Sequence, residues 1–272
     1  MTVLAVSPHL DDAVFSAGGA LATAVSSGHE VVVATVYTRS VPDPTGFALE
    51  CQTDKGIGPD VDYMELRRAE DADACARIGA EPVWLDLPEA PHRGYGSPEA
   101  LFGGVRDDDR DGWEAVRDRL APLLAGLGPD LVLTCRGLGG HVDHAHTVRA
   151  VAELTEGDPE TVSWWVDLPY ALRNPSADQA PALPDGLQRV GLPLTVEAVT
   201  VKLDACAAYE SQIPYQFGRH ADGDPTAAMR QQVLTYAQSE GRQLGFRIPG
   251  EGFLTGHAEA WRRLWDVAPP TP

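Results

Sequence analysis

The chain has 272 residues, with 21 basic side chains against 40 acidic ones and a formal net charge of −19. That length suits one large α/β domain with insertions better than two domains. The acidic balance disfavours nucleic acid and anionic membrane as partners, because both need a basic surface.

The first predicted element is a buried strand over 2–7, built on the apolar run Val3-Leu4-Ala5-Val6. A helix follows near 14–27, stopped by Gly28, and a Val-rich second strand covers 30–37. Residues 40–60 hold Pro42, Pro44, Gly46, Gly56, Gly58 and Pro59, so no regular element is expected there. A helix over about 62–78 is expected to bury Leu66, Ala69, Ala72 and Ala76. The third strand lies near 82–86. A second insertion, 87–111, is rich in Gly, Pro and Asp and contains His92-Arg93-Gly94-Tyr95 and Asp107-Asp108-Asp109. Helix 112–127 carries Trp113, Val116, Leu120, Leu123 and Leu127 in register.

The fourth strand is 130–134. A helix follows His144 with Val148, Val151 and Ala152 on one face, then a fifth strand at 161–167. Residues 168–194 read as irregular or weakly stranded. Thr195 caps a helix to about 211, another spans 225–240, and Trp261 and Trp265 mark a closing segment before a frayed tail at Pro269-Pro270. The alternation of strand and helix to about residue 165 predicts an α/β fold with a mostly parallel sheet. One domain over 1–272 is expected, with insertions near 40–60 and 87–111 and a C-terminal elaboration over 168–265.

Two segments carry chemistry. Pro8-His9-Leu10-Asp11-Asp12, with Gly18-Gly19 beyond, lies on the turn leaving the first strand. His141-Val142-Asp143-His144 follows the fourth strand and the turn Gly137-Leu138-Gly139-Gly140. In open α/β sheets, ligands bind at the carboxyl ends of the strands, so both clusters share one edge. His141 and His144 are three apart and share a face on a helical turn. Neutral imidazoles and carboxylates there suit a divalent metal with an open coordination position. The simpler reading of the Asp pair is helix capping; the second cluster outweighs it. His146 is expected on the helix surface, and of the remaining histidines (His29, His92, His220, His257) only His92 is expected near the pocket. Cys51, Cys75, Cys135 and Cys206 lack the close spacing of a zinc knuckle, and Cys75 and Cys206 are expected as buried thiols.

At these residues the chain resembles the PIG-L/LmbE-like family of metal-dependent N-acetylglucosaminyl deacetylases. Pro8 to Gly19 match its Pro-His-x-Asp-Asp signature with a glycine pair, and His141 to His144 match its His-x-Asp-His. Arg67 and Glu70 before Ile78-Gly79, Lys202 with Ser211-Gln212, and His257 to Trp261 resemble further family segments. Leu10 and Val142 stand where many members have Pro; neither supplies a ligand.

The resemblance implies a Rossmann-like three-layer sandwich with catalytic loops at the strand carboxyl ends. It implies a metal on His9, Asp12 and His144, with Zn²⁺ expected and Fe²⁺ the alternative, and Asp11 as general base. His141 would stabilise the oxyanion or supply a proton. Asp143 would orient His141 and favour its charged form, or serve as a carboxylate at a helix N-terminus. Arg67 is expected to grip sugar hydroxyls with Glu70, or to pair with it on an exposed helix face. Glu89 and Arg93 follow the third strand at the same edge and are further candidates for substrate binding.

The expected reaction is hydrolysis of the N-acetyl group of a 2-acetamido sugar on a small-molecule glycoconjugate. Tyr95, Phe102, Tyr215, Phe217 and Phe253 would clasp a hydrophobic aglycone, such as a glycopeptide-antibiotic pseudoaglycone, or pack as satellite cores. The alternatives are a GlcNAc-inositol or GlcNAc-malate precursor of a low-molecular-weight thiol, and a thiol S-conjugate. A nucleotide-binding module is disfavoured by the lack of a P-loop or a GxGxxG after a strand. A non-catalytic sugar-binding module is disfavoured by the full acidic and imidazole set. No apolar run reaches membrane-span length, and the N-terminus lacks a secretion leader, so a cytoplasmic setting is expected.

Overall fold

A computed structural model describes residues 1–156, 161–173, 180–218 and 223–266. His220 and Pro269-Pro270 lie outside the described residues. Strand β1 (Thr2–Ser7) leads through helix α1 (Asp12–Ser26) to β2 (Glu30–Tyr37), and α2 (Gly46–Thr53) and α3 (Tyr63–Ile78) precede β3 (Glu81–Leu87). The chain returns by α4 (Pro98–Phe102) and α5 (Gly112–Leu127) to β4 (Leu131–Cys135), then α6 (Val142–Leu154) and β5 (Val162–Trp165). The remainder comprises β6 (Gln188–Pro193), α7 (Val196–Cys206), α8 (Ile213–Gln216), α9 (Pro225–Gln243), β7 (Gly250–Thr255) and α10 (Ala258–Leu264).

The seven strands lie in the order β3-β2-β1-β4-β5-β7-β6. The first five are parallel, and β7 runs antiparallel between β5 and β6. Right-handed crossovers place α1 and α3 on one face. The reversal of direction after β3 sends α5 and α6 to the other. Residues Val3 to Val6 are wholly buried, as a central parallel strand covered on both faces must be. The fold is therefore an α/β three-layer sandwich. β1 pairs directly with β4, Val3 opposite Leu131 and Val6 opposite Thr134. The strand order reverses between them, so the loops leaving β1 and β4 open side by side at the switch point.

The glycine pair of the first motif serves packing. A Cβ on Gly19 would lie 2.6 Å from a methyl of Leu194 and 2.9 Å from Glu251 Oε1, and one on Gly18 would lie 3.1 Å from Lys202 Cγ. Helix α1 thus packs closely against α7 and the strand bearing Glu251.

Several sequence expectations are corrected. Residues 40–60 contain helix α2, because Phe47 to Thr53 are free of proline and glycine and the Gln52 amide ties the following loop through the carbonyls of Gly58 and Val61. Within 87–111, α4 is started by Ser97, whose side chain accepts the Ala100 N–H. Helix α3 buries Met64, Arg67, Asp71, Ala74, Cys75 and Ile78 in place of Leu66, Ala69, Ala72 and Ala76. The period is helical, but two of its core positions are charged. They tolerate burial because they are partnered: Asp71 accepts from Trp84 Nε1 at 2.9 Å and Tyr209 Oη at 2.8 Å. Thr195 caps α7 as expected, but the helix ends at Cys206, short of residue 211. Two open alternatives are decided: within 168–194, read as irregular or weakly stranded, residues 188–193 form strand β6 of the sheet, and Tyr95, Phe217 and Phe253 take the core-packing role. Among the described residues, no helix is long and apolar enough to cross a membrane.

Candidate active site

The turn after β1 is held by Ser7, whose Oγ donates to the His9 carbonyl at 2.7 Å and accepts the Ala13 N–H at 3.0 Å. Asp11 occupies the N-cap position of α1 without a side-chain capping bond, so capping does not account for it. Asp12 Oδ2 accepts the His9 N–H at 2.9 Å. The same oxygen lies 3.2 Å from His9 Nδ1 and 3.2 Å from His144 Nε2.

Two imidazoles and one carboxylate thus meet across the β1/β4 switch point. Asp12 and His144 are buried, and neither ring nitrogen of His144 has a hydrogen-bond partner of acceptable geometry. Buried polar nitrogens are seldom left so. A cation among these donors would take Nε2, while Nδ1 faces Asp167 Oδ1 at 3.4 Å, and two nitrogens with one oxygen, leaving a further position open, fit Zn²⁺. Every group among the described residues able to hold a metal contains His9 or His144.

Asp143 positions two histidines by different atoms. Its Oδ2 accepts from His9 Nε2 at 3.0 Å and from the Ala90 N–H at 3.0 Å, while Oδ1 accepts from Arg93 Nη1 at 2.7 Å. With a metal on Nδ1, the one remaining proton of His9 would sit on Nε2, where Asp143 accepts it. The Asp143 backbone N–H donates to His141 Nδ1 at 3.2 Å, with His141 at the N-cap of α6. That bond requires a bare Nδ1 and places the His141 proton on Nε2. The expectation that the Asp143 carboxylate orients His141 and keeps it charged is corrected: the carboxylate turns to His9 and Arg93. Burial lowers His141 to about 3, reinforced by His9 and His144 against the pull of Asp143.

The other titrations follow from the same crowding. Burial and the neighbouring Asp12 carboxylate push Asp11 up to about 7, and Arg67, at 3.8 Å, acts in the opposite sense. Burial acts to raise Asp12, but His144 and His9 hold it well below the carboxylate range. Burial works to lower His9, but its bonds to Asp12 and Asp143 outweigh that and lift it to about 9.

His9, Asp11, Asp12, His141 and Asp143 form part of the wall of a cavity of about 300 Å³. Arg67 and Glu89 also line it, paired at 2.5 Å. Arg67 further donates to the Leu10 carbonyl at 3.3 Å. Arg93 does not line it, contrary to expectation, because its guanidinium is engaged by Asp143, Asp109 and the Pro88 carbonyl. Glu70 turns away to the N–H and hydroxyl of Ser211, each at 2.7 Å. His92 lines a neighbouring cavity beside Ser40 and Asp62. His146 is buried rather than on the surface, with Nε2 3.0 Å from Asp109 Oδ2.

Sequence reasoning missed Asp167, whose Oδ1 lies 3.4 Å from His144 Nδ1. Its place at the end of the fifth predicted strand was the available signal. It also missed Tyr170, whose ring centroid lies 5.2 Å from that of His144, and Lys55, which stands over the rings of Tyr63 and Tyr215. No local pattern marks either.

Residues 4–155 match the family described as PIG-L, GlcNAc-PI de-N-acetylase. A 2'-N-acetylparomamine deacetylase from Streptomyces fradiae is 30% identical over 270 residues, 98% of this chain and 90% of that protein. The crystal structure of the zinc-inhibited form of a teicoplanin deacetylase is 28% identical, covers 93% of this chain and 97% of its own, and superposes with a TM-score of 0.78. That of the A40926 pseudoaglycone deacetylase is 30% identical, with 93% and 96% coverage and a TM-score of 0.76.

Proposed function

The chain belongs to the PIG-L, or GlcNAc-PI de-N-acetylase, family, and we propose that it hydrolyses the acetamide of the N-acetylglucosamine unit of a glycopeptide-antibiotic pseudoaglycone, releasing acetate and leaving the free amine. It is a zinc-dependent amide hydrolase that removes the N-acetyl group of a 2-acetamido sugar. The observation that carries the reading is the convergence of His9, Asp12 and His144, both imidazoles 3.2 Å from one carboxylate oxygen.

These three residues would hold the zinc, which when bound would supply an acidified water and polarise the acetamide carbonyl. Asp11 is the general base. It lines the cavity, is not used as a cap, and is lifted by burial to about 7, where it accepts a proton near neutrality. Proton transfer of this kind is worth ~10²–10⁴-fold in rate. Protonated Asp11 then returns that proton to the leaving amine. His141 is the oxyanion donor: neutral, with Nδ1 held by a helix N–H, it presents Nε2–H to the developing charge. Asp143 positions His9 and His141. Arg67 and Glu89 receive sugar hydroxyls.

Tyr63, Phe102, Tyr170 and Tyr215 line the same cavity, and this aromatic wall supports a large aromatic aglycone. A second reading, an aminocyclitol glycoside, is favoured by the near full-length similarity to the paromamine enzyme and by the net charge of −19, which suits a cationic substrate. Among the described residues the strands form one seven-stranded sheet, which supports one domain over 1–272, and four unpaired cysteines suit a reducing cytoplasm.

The test incubates the zinc-loaded chain with an N-acetylglucosaminyl pseudoaglycone and, separately, with 2'-N-acetylparomamine. Free amine and acetate are followed by mass spectrometry. Faster release from the pseudoaglycone is expected. Faster release from paromamine selects the second reading, and no amine from any 2-acetamido sugar overturns both.

A further inference from the structure

Of the run Asp107-Asp108-Asp109, the first two side chains are exposed, whereas Asp109 is 13% exposed and meets three partners. Its Oδ2 accepts from Arg93 Nη2 at 3.0 Å, from Tyr95 Oη at 2.9 Å, and faces His146 Nε2 at 3.0 Å, while Oδ1 lies 3.4 Å from Arg93 Nε. Asp109 thereby holds both the Nε and Nη2 side of Arg93. The remaining nitrogen, Nη1, is left to the Pro88 carbonyl at 2.9 Å and to Asp143 Oδ1 at 2.7 Å. The other oxygen of Asp143 takes the Nε2–H of His9 at 3.0 Å. An unbroken series of charged hydrogen bonds therefore runs from the second insertion, through Arg93 and Asp143, to the first motif.

We infer that Asp109 is a positioning residue for zinc binding, holding His9 in its metal-binding tautomer and orientation through Arg93 and Asp143. The inference rests on the zinc site proposed above. A guanidinium bonded on one side only would be free to swing on its long stem. With both sides engaged, its planar fork presents Nη1 in one direction. The carboxylate that fixes a metal-ligating histidine then has a fixed partner of its own, and such outer partners are worth ~10–100-fold in metal affinity or activity. Asp109 does not line the cavity, so it reaches the reaction only through the residues it holds.

The test measures zinc affinity of the full chain by chelator competition, and kcat and KM on a simple N-acetylglucosaminide, for wild type, Asp109→Asn, Asp109→Glu and Arg106→Gln. Arg106 belongs to the same insertion and touches Asp109 and Tyr95 through its backbone, which Arg106→Gln keeps; its guanidinium stands over the Tyr95 ring and bonds only the Gly94 carbonyl and Asp108, so it makes no side-chain bond to Asp109, Arg93 or Asp143. Asp109→Asn is expected to weaken zinc binding and lower kcat by about tenfold or more, with KM unchanged. Asp109→Glu recovers most of the loss, and Arg106→Gln binds zinc as wild type does. Wild-type zinc affinity in a folded Asp109→Asn protein overturns the inference, as does an equal loss in Arg106→Gln, which would mark a disturbed loop. If His144→Ala abolishes zinc binding while Asp109→Asn leaves it intact, only this inference falls. A wild-type chain without zinc affinity overturns it together with the reading it rests on.

Discussion

Two buried ionic clusters touch α1, and they differ in how far their polar atoms are satisfied. Near the middle of the helix, Lys202 Nζ donates to Glu251 Oε1 at 2.6 Å and to the Ser16 carbonyl at 3.2 Å. The two Glu251 oxygens accept the N–H groups of Gly19 and Ala20 at 2.9 and 2.7 Å. The cluster is closed, with opposite charges in contact. At the N-terminus of the same helix, His144 lies 3.2 Å from Asp12 and 3.4 Å from Asp167 Oδ1, but neither of its ring nitrogens nor that Asp167 oxygen has a hydrogen bond of good geometry. That cluster is open. A buried charge with its hydrogen bonds in place fixes structure; a buried ring nitrogen left without one is available to a ligand. Burial and charge alone do not distinguish the two; the hydrogen bonds do.

The widest separation between the clusters comes from emptying each. His144→Ala is expected to abolish stoichiometric zinc and measurable turnover, read by elemental analysis and amine release. Retained zinc would name a different third ligand. Asp11→Asn keeps its zinc and loses ~10²–10⁴-fold in kcat; loss of metal in that variant would mean that Asp11 and Asp12 exchange roles. Lys202→Met leaves Glu251 buried without its cation and is expected to cost about 3–5 kcal/mol of stability in denaturant unfolding, with zinc affinity unchanged. A loss of zinc there would erase the distinction between a structural and a ligand-binding cluster.

The smallest effect is in the pH profile. A carboxylate base acts only when deprotonated, so kcat/KM falls as pH drops through the Asp11 value, which burial and the Asp12 carboxylate raise above the ordinary carboxylate range. The Arg67 guanidinium acts to lower that value. Arg67→Gln therefore moves the acidic limb to higher pH, and a limb that stays in place would remove Asp11 as its source.

Much of this was legible locally. The motif around His9 to Asp12 and that around His141 to His144 are short, and each follows an apolar strand whose carboxyl end is readable from its boundaries. Helix α3 shows where local reading fails. Its apolar positions suggested one face, but the buried face includes Arg67 and Asp71, whose partners Glu89, Trp84 and Tyr209 come from other elements. His146 fails likewise: expected on the helix surface, it is buried against Asp109, 37 residues away.

By itself the sequence determined the parallel α/β architecture, the edge on which the chemistry sits and the residue types able to hold a metal. Those follow from periodicity and from strand direction, which are local properties. Only the tertiary structure decided that the Asp143 carboxylate serves His9 while its backbone serves His141, that Arg93 is held between two carboxylates, and that Glu70 leaves the site. Each of those assignments depends on which polar group is brought within about 3 Å of another by packing, and spacing along the chain carries no record of that.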